Sequence, residues 1–545
     1  MHNKGLRFIG FVLIVVILLL DSGATSATMN QSNAEKVLIY ALESDPLSFD
    51  PSEIEDQESA QVVINIFDTL VQYQAGSTEV ETALATTWTT SFDGLEWTFK
   101  LRQGVKFHDG TLFNAQAVKS SFERQFKDLE KSGALPYADF TLGMVQNIKI
   151  IDNYTVTFKL KYPYAPFLRN LAMPYSAPII SAEAVKKYGK NFATHPVGTG
   201  PFIFESWEPG RRIVLKANPD YWDGKPKLDK VIFQIVKGEN VRLNKLAQGT
   251  VDIVNGIAPG SSVDGLLKDE HKFRVWLSTG LNINYLGFRV DKKPFNDLKI
   301  REAVTRAIDR EKLVKRLYKG QAIVAQGPLP SIVLGYKEDL KAYSYDPERA
   351  KQLLREAGYV DNLSFELLSY SEQRPYNEVG GDCLAEAIKD YLSKVGIKVK
   401  ITSETWQEHK ENLRLRKGDA FLYGWLGDNG DPDNFLYPLL HGSQISVSSL
   451  NYSNYNNPTY NALIVKAQAA TESSERIRKY ALAQKILVAD APWIFISHAL
   501  NVVVTHQNVE GLCVSPTGLV NLAKAEKVEA RGTRREAAYT MHNGK

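Results

Sequence analysis

The chain has 545 residues, with 65 Lys and Arg against 62 Asp and Glu and a formal net charge of +3, a balance that leaves no basic footprint for nucleic acid. Its composition, 44% hydrophobic and 23% charged, is that of a globular protein rather than a disordered one. Only Cys383 and Cys513 are present, which excludes a disulfide scaffold and a cysteine-rich metal site.

Lys4 and Arg7 precede an unbroken apolar run, Phe8–Leu20, and small residues follow from Ser22 to Ala27. This order describes a secretory signal peptide over 1–27, cut between Ala24 and Ala27. The run is shorter than the ~20 apolar residues that span a bilayer. No Cys follows it to carry a lipid. The remainder exceeds the ~250–300 residues at which a single core stops growing, so at least two lobes are expected.

Short strands dominate up to about residue 280. Trp97, Phe99 and Leu101 alternate with Thr98, Lys100 and Arg102, the period of a half-buried strand. Tyr154, Val156, Phe158 and Leu160 do the same, and Asp152-Asn153 reads as a hairpin turn back to Ile148–Ile151. A helix over Ala115–Gln125 lies between them. This half reads as α+β with a mixed or antiparallel sheet. After Phe288, Asn296–Leu317 reads as one helix with Val304, Ala307, Ile308 and Leu313 on a single stripe. Asp346-Pro347 caps a helix that ends before Gly358. Strands at Leu363–Ser369, Ile397–Ile401 and Ala420–Trp425 then alternate with helices at Asp382–Lys394 and Glu404–Leu415, the pattern of an α/β lobe with a parallel sheet. The residues from Arg531 on read as a disordered tail.

Ligands of open parallel sheets bind beyond the carboxyl ends of the strands. Two unusual segments fall there: Tyr370–Asn377, which holds Arg374 and Tyr376, and Gly424–Phe435, which holds Trp425 and Asp428. A zwitterion needs a guanidinium and a carboxylate held apart, and these segments supply one of each. The same two groups could instead pair with each other or with solvent. Asp428, Asp431 and Asp433 have the wrong spacing for a calcium loop, and Gly430 with Pro432 reads as turn chemistry. No His-Glu-x-x-His helix, nucleophile elbow or phosphate-cradling loop is present. His108 reads as a loop residue. The 25 Tyr and 8 Trp suit a pocket for organic ligands.

Five runs in a fixed order carry a family likeness: Asn65–Val71, Ala85–Trp88 with His108-Asp109-Gly110, Gly198–Phe202, Tyr221-Trp222 and Leu246–Asp252. With these, the chain resembles the peptide-binding branch of the extracytoplasmic solute-binding proteins of ABC importers, bacterial family 5, from Leu38 to about Leu522. The resemblance implies a two-lobed periplasmic-binding-protein fold of type II, cluster C-like, with a hinged ligand cleft. Lobe I would be 28–280 plus 500–530, with an inserted subdomain at about 75–190, and lobe II 281–499. It further implies a monomer in the periplasm that needs no cofactor or metal. Such a protein catalyses nothing, binds a dipeptide or short peptide, and works with permease subunits of an inner-membrane ABC importer. Residue by residue, it places the peptide carboxylate at Arg374 and the amine at Asp428, with Tyr376 and Trp425 beside them. Two departures stand out: Ala41 and Gly442 occupy positions near which the family has disulfide cysteines, and Glu378-Val379-Gly380-Gly381 leaves the family pattern. Haem-, glutathione- and antimicrobial-peptide-binding relatives share the framework. An extracytoplasmic peptide hydrolase is the alternative of a different class, and no nucleophile–base pair supports it.

Overall fold

Alternating and continuous apolar strands give this chain its frame, because each must bury one or both faces against another layer. A computed structural model describes residues 35–132, 137–258, 271–340, 342–360 and 362–528. The signal peptide expected over 1–27 and the tail expected over 531–545 lie outside these residues. Among the described residues, no helix is long and apolar enough to cross a membrane.

The main sheet runs in the order Lys398–Glu404, Ser364–Tyr370, Ala420–Leu426, Asn282–Phe288, Trp493–His506, Ile253–Asn255, Val37–Leu42, Lys230–Ile235, Arg212–Ala217 and Phe202–Glu208. Phe273–Thr279 and Ala322–Val324 also pair with Trp493–His506. That long strand belongs to two wings. Its first residues pair with Asn282–Phe288, and its last pair with Ile253–Asn255 and Phe273–Thr279. Each wing has its own core. Leu38, Phe49, Val63, Phe233 and Leu522 are buried together in the first, and Leu286, Val304, Leu367, Ile388 and Leu422 in the second.

A separate four-stranded antiparallel sheet, in the order Ala85–Thr90, Glu96–Leu101, Thr155–Leu160 and Val145–Asp152, forms within the stretch expected as an insertion. The expected hairpin is its last pair. Its strands are more enclosed than a half-buried pattern implies. Thr155 and Thr157 are buried too, because Thr157 pairs with Thr98 at 2.9 Å and Lys100 donates to Thr155 at 2.9 Å. The family marks converge on one buried carboxylate. Asp68 accepts from Thr199 (2.8 Å), Tyr221 (3.1 Å) and Trp222 (2.8 Å). His108 likewise bonds the Gly200 carbonyl at 3.0 Å, and burial pushes its pKa down to about 4, which suits a neutral structural histidine.

One sequence reading of the second wing needs correction, and one needs extending. The single helix over Asn296–Leu317 is two helices, Leu298–Arg306 and Arg310–Tyr318, because the Asp309 side chain accepts from the Lys312 amide and starts a new helix. The four stripe residues are nevertheless all buried in one core. The three strands expected to be parallel are parallel, and the larger sheet that contains them is mixed. Ser364–Tyr370 is parallel to both Lys398–Glu404 and Ala420–Leu426, but Asn282–Phe288 is antiparallel to Ala420–Leu426 and to Trp493–His506. The strands that join the two wings run against the crossover strands.

Candidate ligand site between the two wings

The loops after Ser364–Tyr370 and Ala420–Leu426 leave the same edge of the sheet, since the two strands are parallel neighbours. The first loop is tied at Asn377, which is fully buried. Its side chain accepts from the Tyr318 hydroxyl (2.6 Å) and donates to Tyr370 (3.0 Å). Its backbone closes a pair of hydrogen bonds with Arg374, at 2.7 and 3.1 Å. Glu372 accepts from the Trp406 amide at 3.0 Å, which pins the loop to the start of the helix Trp406–Arg414. Thr405 and Glu408 form a capping box at that helix end. The Arg374 guanidinium then lies over the Trp406 ring, 4.2 Å from its centre, and Trp406 stacks on Tyr423 at 5.5 Å. A planar cation held on an aromatic face is oriented without being neutralised.

Tyr376 is 4% exposed and packs against the strand itself. A Cβ on Gly424 would stand 2.2 Å from its ring, so only glycine lets the loop close onto the strand here. Trp425, one residue on, is half-buried and donates its indole N–H to Asn434 at 2.9 Å. Asn434 in turn donates to Asp428 at 3.2 Å and accepts from the Asp428 amide at 3.2 Å.

Three aspartates in this loop meet three different fates. Asp431 has no exposure. Burial opposes its ionisation, but Arg476 (2.7 and 2.9 Å) and Arg169 (3.5 Å) outweigh that and hold its carboxyl below the ordinary range. Asp433 accepts from Tyr164 at 3.0 Å, and burial together with neighbouring Asp431 pushes its pKa up to about 7. Asp428 keeps some exposure and accepts from the Tyr137 hydroxyl at 2.9 Å; enclosure dominates and holds its pKa up to about 6. Among the described residues, no cation pairs with Asp428 and no carboxylate forms an ion pair with Arg374. Arg374 and Asp428 are not paired with each other.

The opposite wall comes from residues between 78 and 170. Tyr137, Tyr164 and Arg169 reach Asp428, Asp433 and Asp431, and Asn429 donates to Asn170 at 2.6 Å. Gly430 has φ +65° and leaves room for Thr78, whose Cβ a side chain there would approach to 2.6 Å. Sequence reasoning missed these partners because they lie about 250 to 350 residues away along the chain. It also missed Glu378, whose pKa burial and Glu239 of the facing helix Glu239–Ala247 push up to about 8. The departure from the family pattern at Glu378 was the available signal.

A family model described as bacterial extracellular solute-binding proteins, family 5, middle, matches residues 79–446. Heme-binding protein A of Haemophilus influenzae is 33% identical over 91% of this chain and 93% of its own length. The dipeptide-binding protein of Escherichia coli is 33% identical over 92% and 96%. Among solved structures, HbpA2 of Haemophilus parasuis aligns with a TM-score of 0.84 at 30% identity, over 90% of this chain and all of that one. The periplasmic binding protein DppA of Helicobacter pylori, in complex with the peptide STSA, aligns at 0.71 and 33% identity, over 90% and 98%.

Proposed function

Since the chain belongs to the family 5 bacterial extracellular solute-binding proteins, with their two-lobed α/β fold, we propose that it captures short peptides, dipeptides first, for an ABC importer. The observation carrying this reading is a pair of opposite, oriented and uncompensated charges. Arg374 on its aromatic shelf receives the peptide carboxylate, and Asp428 receives the amine. Tyr376 packs behind Gly424 beside the first anchor, and Trp425 is tied through Asn434 to the second. Two extended residues span roughly 7 Å, so anchors for both ends select length as well as charge.

The lobes are the two wings, bounded near 280 and 500. At that boundary the crossovers touch: the Asn282 side chain donates to and accepts from Ala499, at 2.9 and 2.7 Å. This is the hinge, and ligand closes the wings over the site. The protein works as a periplasmic monomer that docks on permease subunits and performs no chemistry on its cargo. His409 and His498 are held by backbone carbonyls, with pKa values pushed down by burial to about 4, and neither is placed as a base for a nucleophile.

The haem-binding relative gives the rival reading its weight. A haem presents carboxylates that Arg374 can take but no cation for Asp428, whereas a free peptide offers a counter-charge to both. Parallel titrations test this: Ala-Ala by calorimetry and haemin by absorbance. Binding of Ala-Ala without a haemin spectral shift supports the peptide reading; tight haemin binding with no peptide heat overturns it.

A further inference from the structure

A second recess opens in the first wing at the carboxyl ends of Val37–Leu42 and Ile253–Asn255. Its volume is about 220 Å³, well above the ~30 Å³ share of one water. Tyr40, Glu43, Glu58, Gln61, Arg242 and Asn255 are among its walls. Most of their polar groups are already engaged. Gln61 donates to and accepts from the backbone of Val520, both at 2.8 Å. Asn255 donates to the Gly518 carbonyl at 2.9 Å and accepts from the Gly256 amide at 2.7 Å. Arg242 is in contact with Glu43, so those two charges cancel.

Glu58 is left over. It lies in the first turn of the helix Gln57–Val63, half-buried, and no cation pairs with it among the described residues. Burial and the like charge of Asp56 hold its carboxyl above the ordinary range. The recess is close to the amine end of the candidate site. Tyr175 stacks on Tyr137 at 4.4 Å and Tyr137 donates to Asp428, while the neighbouring Ser176 amide donates to Pro51 at 2.8 Å, in the segment that leads into the helix carrying Glu58.

We infer that this recess receives a cationic side chain from the amine-terminal residue of the ligand, with Glu58 as its counter-charge. The inference rests on the peptide reading and adds a preference for Lys or Arg at that position. An ammonium or guanidinium group there supplies the one charge that the walls lack, and its alkyl stem fills space beside the Tyr40 ring. The bland reading makes Glu58 an ordinary solvated carboxylate that no ligand meets.

Calorimetry with Lys-Ala, Met-Ala and Glu-Ala, on the wild type and on Glu58→Gln, distinguishes these. The wild type is expected to bind Lys-Ala about tenfold or more tighter than Met-Ala, and Glu-Ala weakest, as a charge-assisted contact in a partly desolvated site requires. In Glu58→Gln the ratio of Lys-Ala to Met-Ala affinities should fall below about threefold. Equal affinities in the wild type, which does not depend on the variant folding, would overturn the inference while leaving the peptide reading intact. Retention of the full preference in Glu58→Gln would also overturn it. If none of the three peptides binds, the peptide reading fails and takes the inference with it.

Discussion

Asp428, Asp431 and Asp433 lie within six residues of one another, yet what each can do is set by partners from elsewhere in the chain. Asp431 is a structural charge. Replacing Arg476 by Leu removes its close partner from a buried pair, which destabilises by about 3–5 kcal/mol, and chemical denaturation should show this as a lowered midpoint. Asp428 is the proposed anchor for the ligand amine. Truncating one member of a buried charge pair costs about 2–5 kcal/mol, so Asp428→Ala and Arg374→Ala should each weaken dipeptide binding by roughly 30-fold or more. Neither should lower the denaturation midpoint as far as the Arg476 replacement does. The pH dependence has a definite sign. Asp428 titrates near 6 in the ligand-free protein and must be ionised to hold an ammonium group. Protons therefore compete with ligand, and affinity at pH 5 should be about tenfold weaker than at pH 7. The same raised pKa acts oppositely on stability. The native state holds this proton more tightly than the unfolded chain, so ionising Asp428 removes stability as the pH rises toward 6 and above. An Asp428→Asn variant should lose both effects. Arg374 and Asp428 stand out as candidates in the sequence because strand ends are readable from patterning. Tyr137 and Asn377 were not legible as partners, since a hydroxyl 291 residues away leaves no local pattern.

Among the elements, those with local chemistry were the legible ones. The helix Pro347–Glu356 begins at Asp346 and is followed by Gly358 with φ +84°, as its cap residues announce. The break at Asp309 was missed because the apolar stripe continues across it: Ala307 and Ile308 stay in the same core as Leu313. The three parallel strands were legible, but their antiparallel neighbour was missed for a different reason. Whether a strand runs parallel or antiparallel depends on which neighbour it finds, and Asn282–Phe288 finds two distant ones. The strand Ala420–Leu426 gives a test at this scale. Gly424→Ala forces Tyr376 and its loop off the strand, and with them Arg374. Affinity for Ala-Ala should fall about tenfold or more with Asp428 untouched; unchanged affinity would show that the loop position does not matter.

At the scale of the whole molecule, the wings meet through Tyr137, Tyr164, Arg169 and Asn170 on one side and residues 428–433 on the other. Opening separates Arg169 from Asp431, but Arg476 lies in the same wing as Asp431 and stays with it. The proposed opening leaves Asp431 paired, while Asp433 loses its contact with Tyr164. The two cysteines fit the same picture. Cys383 is exposed on the helix Gly381–Ser393 of the second wing, Cys513 lies on the return segment of the first, and both are free. A bond between them would fix one arrangement of the wings. Thiol titration under denaturing, non-reducing conditions should find both as thiols; finding neither in monomeric protein would contradict a freely opening cleft. Division into two wings was legible from the change of pattern near 280, whereas the contacts across the cleft were not, because they join segments with no common periodicity. The most direct test of peptide capture compares three ligands that differ only at their ends: Ala-Ala, acetyl-Ala-Ala and Ala-Ala-amide. Calorimetry should show binding of the free dipeptide and a loss of roughly 30-fold or more on blocking either end, whereas equal affinity for all three would contradict it.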